Sequence, residues 1–242
     1  MQTKIEKISP LSAFAVNNYM KHDCLSCDFL SFREKLSCAV ISHPEKSREW
    51  KGARMAIKET MDCLNIPYPG FYKDEHGKSH PMDNYGYVSL THSNGWAAAI
   101  FHKEMPVGID MDFVRDKVVR LGPKFLDPIE MGFLDNDPLL HTIAWSAKET
   151  IYKCQGKKGI SLKENILLQP EFVERMVIDS VLEVQHSPNL LEQSLLLKHY
   201  YNVVEMSHLP EYWKLLLHDT RLMLPVIEIK RANRSQLCSY FQ

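Results

Sequence analysis

Residues 87–112 read YVSLTHSNGWAAAIFHKEMPVGIDMD. Two apolar, β-prone runs flank Asn94–Gly95, and both positions of a type I′ turn need the positive φ that Asn and Gly tolerate. A hairpin of 87–93 with 96–102 is therefore predicted. After the break KEMP, the stretch VGIDMD at 107–112 is predicted as a third strand, giving a three-stranded antiparallel meander. Strand alternation puts Val107, Ile109 and Met111 on one face and Asp110 and Asp112 on the other. Carboxylates two residues apart on one face have Cα atoms roughly 6.5–7 Å apart. Paired like charges repel, and burying them without a cation is costly. A divalent metal removes that penalty, and hard oxygen donors suit magnesium. Two harmless aspartates on a solvent-facing edge are the ordinary alternative. If Ser93 pairs with Trp96 and His102 with Val107, Ala97 sits between His92 and Asp112, about 10 Å apart across two strand spacings. The small Ala97 and Ala99 would leave a shelf for a phosphorylated ligand there, and a one-residue slip would abolish it.

Outward from this stretch, helical patterns run around 115–134 and 138–155. Within WSAKETIYK at 145–153, Glu149 and Lys153 are i, i+4 neighbours, with Trp145 one turn earlier on the same stripe. An exposed ion pair worth only ~0.3–0.5 kcal/mol is the commonplace reading of that pair. The functional one makes Glu149 a metal ligand or base and Lys153 a cation facing phosphate. The loop QGKKG follows. On the N-terminal side, Trp50, Ala53, Ile57, Met61 and Leu64 recur at steps of three and four, predicting a helix from Glu45 to Leu64. Its Lys46, Arg48, Lys51, Arg54 and Lys58 read most simply as a solvated basic face. Pro67 and Pro69–Gly70 end it, and KDEHGKSHPMDN at 73–84 reads as loop. Residues 1–45 show no clear long helix. Apolar runs recur at 171–184, 194–205 and 212–229, and SLLLKHYYNVVEM is β-branched and aromatic enough for a strand.

The 242 residues are about 45 % apolar and 24 % charged, enough for one large domain or two small ones. With 29 basic against 30 acidic residues the net charge is −1, so no basic field points to nucleic acid. Neither an apolar membrane-span run nor a secretory leader is evident, and the expectation is a soluble cytoplasmic protein. His22, Cys24 and Cys27 hint at zinc, but a structural site needs four ligands and no second cysteine pair exists. Reduced thiols fit the cytoplasmic address.

THSNGW, PVGIDMD and WSAKETIYKCQGKKGISL, in this order and spacing, resemble the 4′-phosphopantetheinyl transferases of the type that activates surfactin synthetase. Weaker similarity reaches back through HGKS at 76–79 to REWKGAR at 48–54. The resemblance implies an α/β (α+β) chain of two pseudo-symmetric halves, 1–106 and 107–242. Each would be a small antiparallel sheet packed with helices, with coenzyme A in the cleft between them, and a monomer would suffice. It also implies that Asp110, Asp112 and Glu149 bind magnesium. Thr91, His92, Ser93, Arg48 and, less closely matched, Arg54 would hold coenzyme A phosphates. Gly77 and Lys78 would line the nucleotide end, Lys153 would contact the pyrophosphate, and Glu130 would lie near the metal. Three departures stand out. Asp112 replaces the family's frequent glutamate, GKS replaces GKP, and GKKG carries an extra lysine.

The function implied is transfer of phosphopantetheine from coenzyme A to a serine of an apo-carrier protein. Glu149 would act as base, directly or through a metal-bound water, with Lys153 and His92 stabilising the departing 3′,5′-ADP. A non-catalytic relative that binds coenzyme A or carrier, and a phosphodiesterase using the same carboxylates, are the competing readings.

Overall fold

A computed structural model describes residues 3–21, 27–156, 159–168 and 199–205, the last stretch as backbone. In chain order come β1 (Thr3–Ser9), β2 (Ser12–Asn18), α1 (Phe32–Ala39), α2 (Pro44–Cys63), β3 (Phe71–Lys73) and β4 (Ser79–Pro81). Then follow β5 (Tyr87–Ser93), β6 (Trp96–His102), β7 (Val107–Phe113), α3 (Lys117–Phe125), α4 (Pro128–Leu134), α5 (Pro138–Gln155) and β8 (His199–Glu205).

Asn94 and Gly95 both take positive φ, 45° and 89°, so the turn forms as its sequence dictates. Across it Ser93 pairs with Trp96 and His92 with Ala97, the expected register. The sheet grows on the other side of β6, in the order β1-β2-β6-β5, all antiparallel. The meander does not form. β7 pairs instead with β8, Val107 opposite Glu205 and Phe113 opposite His199, in a separate two-stranded sheet. The edge of β6 that the meander required is taken by β2, with Ala15 opposite Ala99. The strand predicted within 194–206 is β8; the runs at 171–184 and 212–229 lie outside the described residues.

Both faces of the four-stranded sheet are covered. Ala56, Ile57 and Met61 of α2 pack on Ala13, Val88, Ala99 and Phe101. On the opposite face Val107, Ile109 and Met111 of β7 meet Phe14, Val16, Ala98 and Ile100. The apolar face read from VGIDMD is thus buried as one block, and residues on both sides of the 106/107 boundary share that cluster. α5 lies against β7 and β8, completing a succession of helix, sheet, sheet, helix.

Local chemistry accounts for the helix ends. Ser31 and Glu34 form a capping box at α1, as do Asp127 and Glu130 at α4. Asp127 and Pro128 also divide the helical stretch expected at 115–134 into α3 and α4. α5 begins with Asp137 accepting from the Leu139 N–H and ends at Gly156 in the left-handed region. The stretch read as loop at 73–84 contains part of a hairpin, β3–β4. Asp74 Oδ1 accepts from the backbone N–H of His76 and Lys78, both at 2.9 Å, and its Oδ2 lies 2.9 Å from His80 Nε2. One aspartate thus closes a hairpin that has too few strand residues to show a period. None of the helices described is long and apolar enough to cross a membrane.

Candidate functional site

β7 lies with one edge on β5, and hydroxyls rather than carbonyls make the seam. Ser89, Thr91 and Ser93 alternate along β5 and so point the same way. The Ile109 N–H donates to Ser89 Oγ at 3.1 Å and the Met111 N–H to Thr91 Oγ1 at 3.2 Å. Thr91 Oγ1 in turn donates to Asp110 Oδ1 at 3.1 Å, and Ser93 Oγ to Asp112 Oδ1 at 2.8 Å. Asp110 and Asp112 therefore share a side of β7, as alternation requires. Thr91 and Ser93, expected to hold phosphates, donate in this structure to the two aspartates.

α5 brings the remaining charges. Gly108 admits the helix: a Cβ there would come within 2.0 Å of the Thr150 carbonyl oxygen and 3.0 Å of Cys154. This close approach sets Lys153 Nζ 2.7 Å from Asp110 Oδ1 and 3.3 Å from the Ile109 carbonyl oxygen. Asp110 is only 6 % exposed. Its second oxygen, Oδ2, is buried and has no hydrogen-bond partner among the described residues. Burial pushes the Glu149 carboxyl above its ordinary range, Lys153 pulls it back and the charge of Asp110 pushes it further up. Asp110 of β7 and Glu149 and Lys153 of α5 thus act on one another electrostatically.

His92 stands half-exposed on the other side of β5, ion-paired with Glu49 of α2. Burial lowers its pKa, Glu49 opposes that, and Lys153 and Lys73 lower it further. Its imidazole therefore faces the same charges as Glu149 from the opposite flank. Within REWKGAR the basic residues stand out, and nothing local marks Glu49 as the partner of His92.

The remaining expected residues divide. Arg48 is exposed at the start of α2. Arg54 is 4 % exposed, its Nε 2.8 Å from Glu34 Oε1, and its guanidinium stacks on Trp50. Glu34 also takes the Tyr68 hydroxyl at 2.8 Å and the Ser31 N–H at 3.2 Å. Arg54 thus ties α2 to the start of α1. Gly77, at φ +85°, turns the β3–β4 hairpin with open space beside it. Lys78 donates to the carbonyl oxygens of Lys153 and Cys154, both at 3.2 Å. A cation on the last carbonyls of α5 suits the negative end of the helix dipole. It also clamps the turn that carries Lys153.

Glu130 is held in a buried network. Lys148, 0 % exposed, donates at 2.5 Å to Glu130 Oε2 and at 2.9 Å each to the carbonyl oxygens of Phe125 and Leu162. Leu168 N–H and Asp127 N–H donate to the same carboxylate at 2.7 Å. Three donors of one ammonium are used, so the pair is well compensated. Glu130 is a structural anchor here. Lys148, in the same WSAKETIYK motif, carries no burial signal in the sequence, because a lysine beside polar neighbours looks exposed.

Among the described residues no three His, Cys, Asp or Glu side chains gather as a metal-binding group. Asp112 Oδ1 is taken by Ser93 and by the Phe113 N–H at 2.7 Å. Two carboxylates that feel each other's charge, Asp110 of β7 and Glu149 of α5, would then be the groups to hold an ion. Magnesium keeps several waters and is commonly held by one or two carboxylates together with substrate phosphates. The buried, unpartnered Oδ2 of Asp110 and the hard-oxygen character of both groups fit such an ion. No protein-family model matches the chain, and no curated protein does either.

Proposed function

We propose that the chain is a magnesium-dependent 4′-phosphopantetheinyl transferase, which moves the phosphopantetheine arm of coenzyme A onto a serine of an apo-carrier protein. One observation carries the reading. The strand motif VGIDMD and the helix motif WSAKETIYK set Asp110 and Lys153 2.7 Å apart, with Asp110 Oδ2 buried and unpartnered. Asp110 and Glu149 would hold the magnesium, and Asp112, turned toward Ser93, would reach it only through water. When bound, the ion supplies charge neutralisation on the diphosphate.

Glu149, its proton affinity raised by burial, is suited to take the proton of the attacking serine near neutral pH. The serine oxygen bonds to the β-phosphorus as the bond to the bridging oxygen breaks, and 3′,5′-ADP departs. The part-exposed ammonium of Lys153 would meet that diphosphate. His92, its Nδ1 held by Glu49, would turn Nε2 to a phosphate from the other flank and donate to it when the ring is protonated. Arg48, exposed on α2, would add charge at the nucleotide end. The reading is tested by following 3′,5′-ADP. It should be released from coenzyme A only when apo-carrier and magnesium are both present; release without carrier would favour a phosphodiesterase.

A further inference from the structure

Asp110 and Glu149 carry two negative charges into a largely buried corner, and among the described residues the ammonium of Lys153 is the cation in contact with Asp110. Lys153 Nζ occupies Asp110 Oδ1, already steadied by Thr91, while Oδ2 stays bare. A divalent ion on Oδ2 and an ammonium on Oδ1 would share one carboxylate, and like charges that close repel. Burying the two carboxylates with no cation at all is costly as well.

We propose that Lys153 is the resident counter-ion of the magnesium site, and that metal binding works by exchange: the ion displaces the Lys153 ammonium from Asp110 and frees it for the diphosphate. The inference rests on the transferase reading above and adds a role for Lys153 before any coenzyme A arrives. Lys153 is well placed for this. Its chain is long and flexible, its nitrogen is part-exposed, and its backbone is fixed by Lys78 on the Lys153 and Cys154 carbonyls. The head can swing while the helix stays where it is. Exchange also makes the two cations arrive in order, so the lysine is released for the substrate only when the metal is present.

The test is manganese or magnesium binding to the full chain without coenzyme A, read by calorimetry and by the electron paramagnetic signal of free manganese. Lys153→Met should bind the ion about tenfold more tightly or better, since an opposing charge at contact distance has been removed. Lys153→Arg, which keeps the charge, should stay near wild type, and Asp110→Asn should abolish the binding. Ion binding in wild type that depends on Asp110 but is no tighter in Lys153→Met overturns the exchange alone. If neither wild type nor Lys153→Met binds the ion in an Asp110-dependent way, both the exchange and the magnesium site fail.

Discussion

Gly108 faces the Thr150 carbonyl so closely that a side chain at 108 would put its Cβ 2.0 Å from that oxygen. The contact sets the distance between β7 and α5, and with it the meeting of Asp110 and Lys153. Gly108→Ala should therefore cost stability, by about 2 kcal/mol or more, because backbone on both sides must shift. Urea unfolding measures the loss. Transfer should fall further than stability explains, since the helix carrying Glu149 and Lys153 moves as a unit.

Thr91 links Asp110 to the Met111 N–H through one hydroxyl. Thr91→Val keeps the shape and removes the oxygen, leaving a buried N–H unsatisfied at a cost of about 1–3 kcal/mol. Thr91→Ser keeps the oxygen and should restore most of both stability and transfer. Denaturation midpoints and initial rates on the two variants separate this orienting role from one in phosphate binding, where valine would leave stability unchanged.

Lys148 and Glu130 form a buried pair whose members satisfy each other and four carbonyl or amide groups besides. Lys148→Met strands the Glu130 charge and should cost about 3–5 kcal/mol. Adding Glu130→Gln should recover part of that loss. Equal losses in single and double variants would show that the carboxylate is compensated elsewhere.

Asp74 is held at about 2, against an ordinary 3.8, chiefly by its hydrogen bond to His80 and then by the amides of Lys78 and His76. A carboxyl whose folded pKa is depressed contributes stability above its unfolded pKa and loses it as pH falls through the folded one. Asp74→Asn should destabilise the chain at every pH above about 4, and the difference from wild type should shrink between pH 4 and 2. A constant difference across that window would assign the effect to hairpin geometry instead of charge.

Local rules made the hairpin legible: Asn94–Gly95 can do little else, and the register followed. The apolar alternation of Val107, Ile109 and Met111 is equally plain, as is the helix expected from Glu45 to Leu64, which forms as Pro44–Cys63. What alternation does not encode is which edge a strand takes. A free edge on β6 looked available for β7 because the distant pairing of Ser12–Asn18 with Trp96–His102 leaves no local trace. The hydroxyl seam was visible in SLTHS as three small polar residues two apart, yet the same pattern suits any solvent face. Arg54 and Lys148 illustrate the converse difficulty. Each reads as a surface charge until a partner, Glu34 or Glu130, is brought to it by the fold.

The most direct measurement is the intact mass of a set of apo-carrier proteins, from fatty acid, polyketide and peptide assembly systems, after incubation with the chain, coenzyme A and magnesium. A carrier heavier by one phosphopantetheine with wild type, and unchanged mass with folded Glu149→Gln, is the predicted result. Carriers left unmodified throughout, or modified equally well by the Glu149 variant, would contradict it.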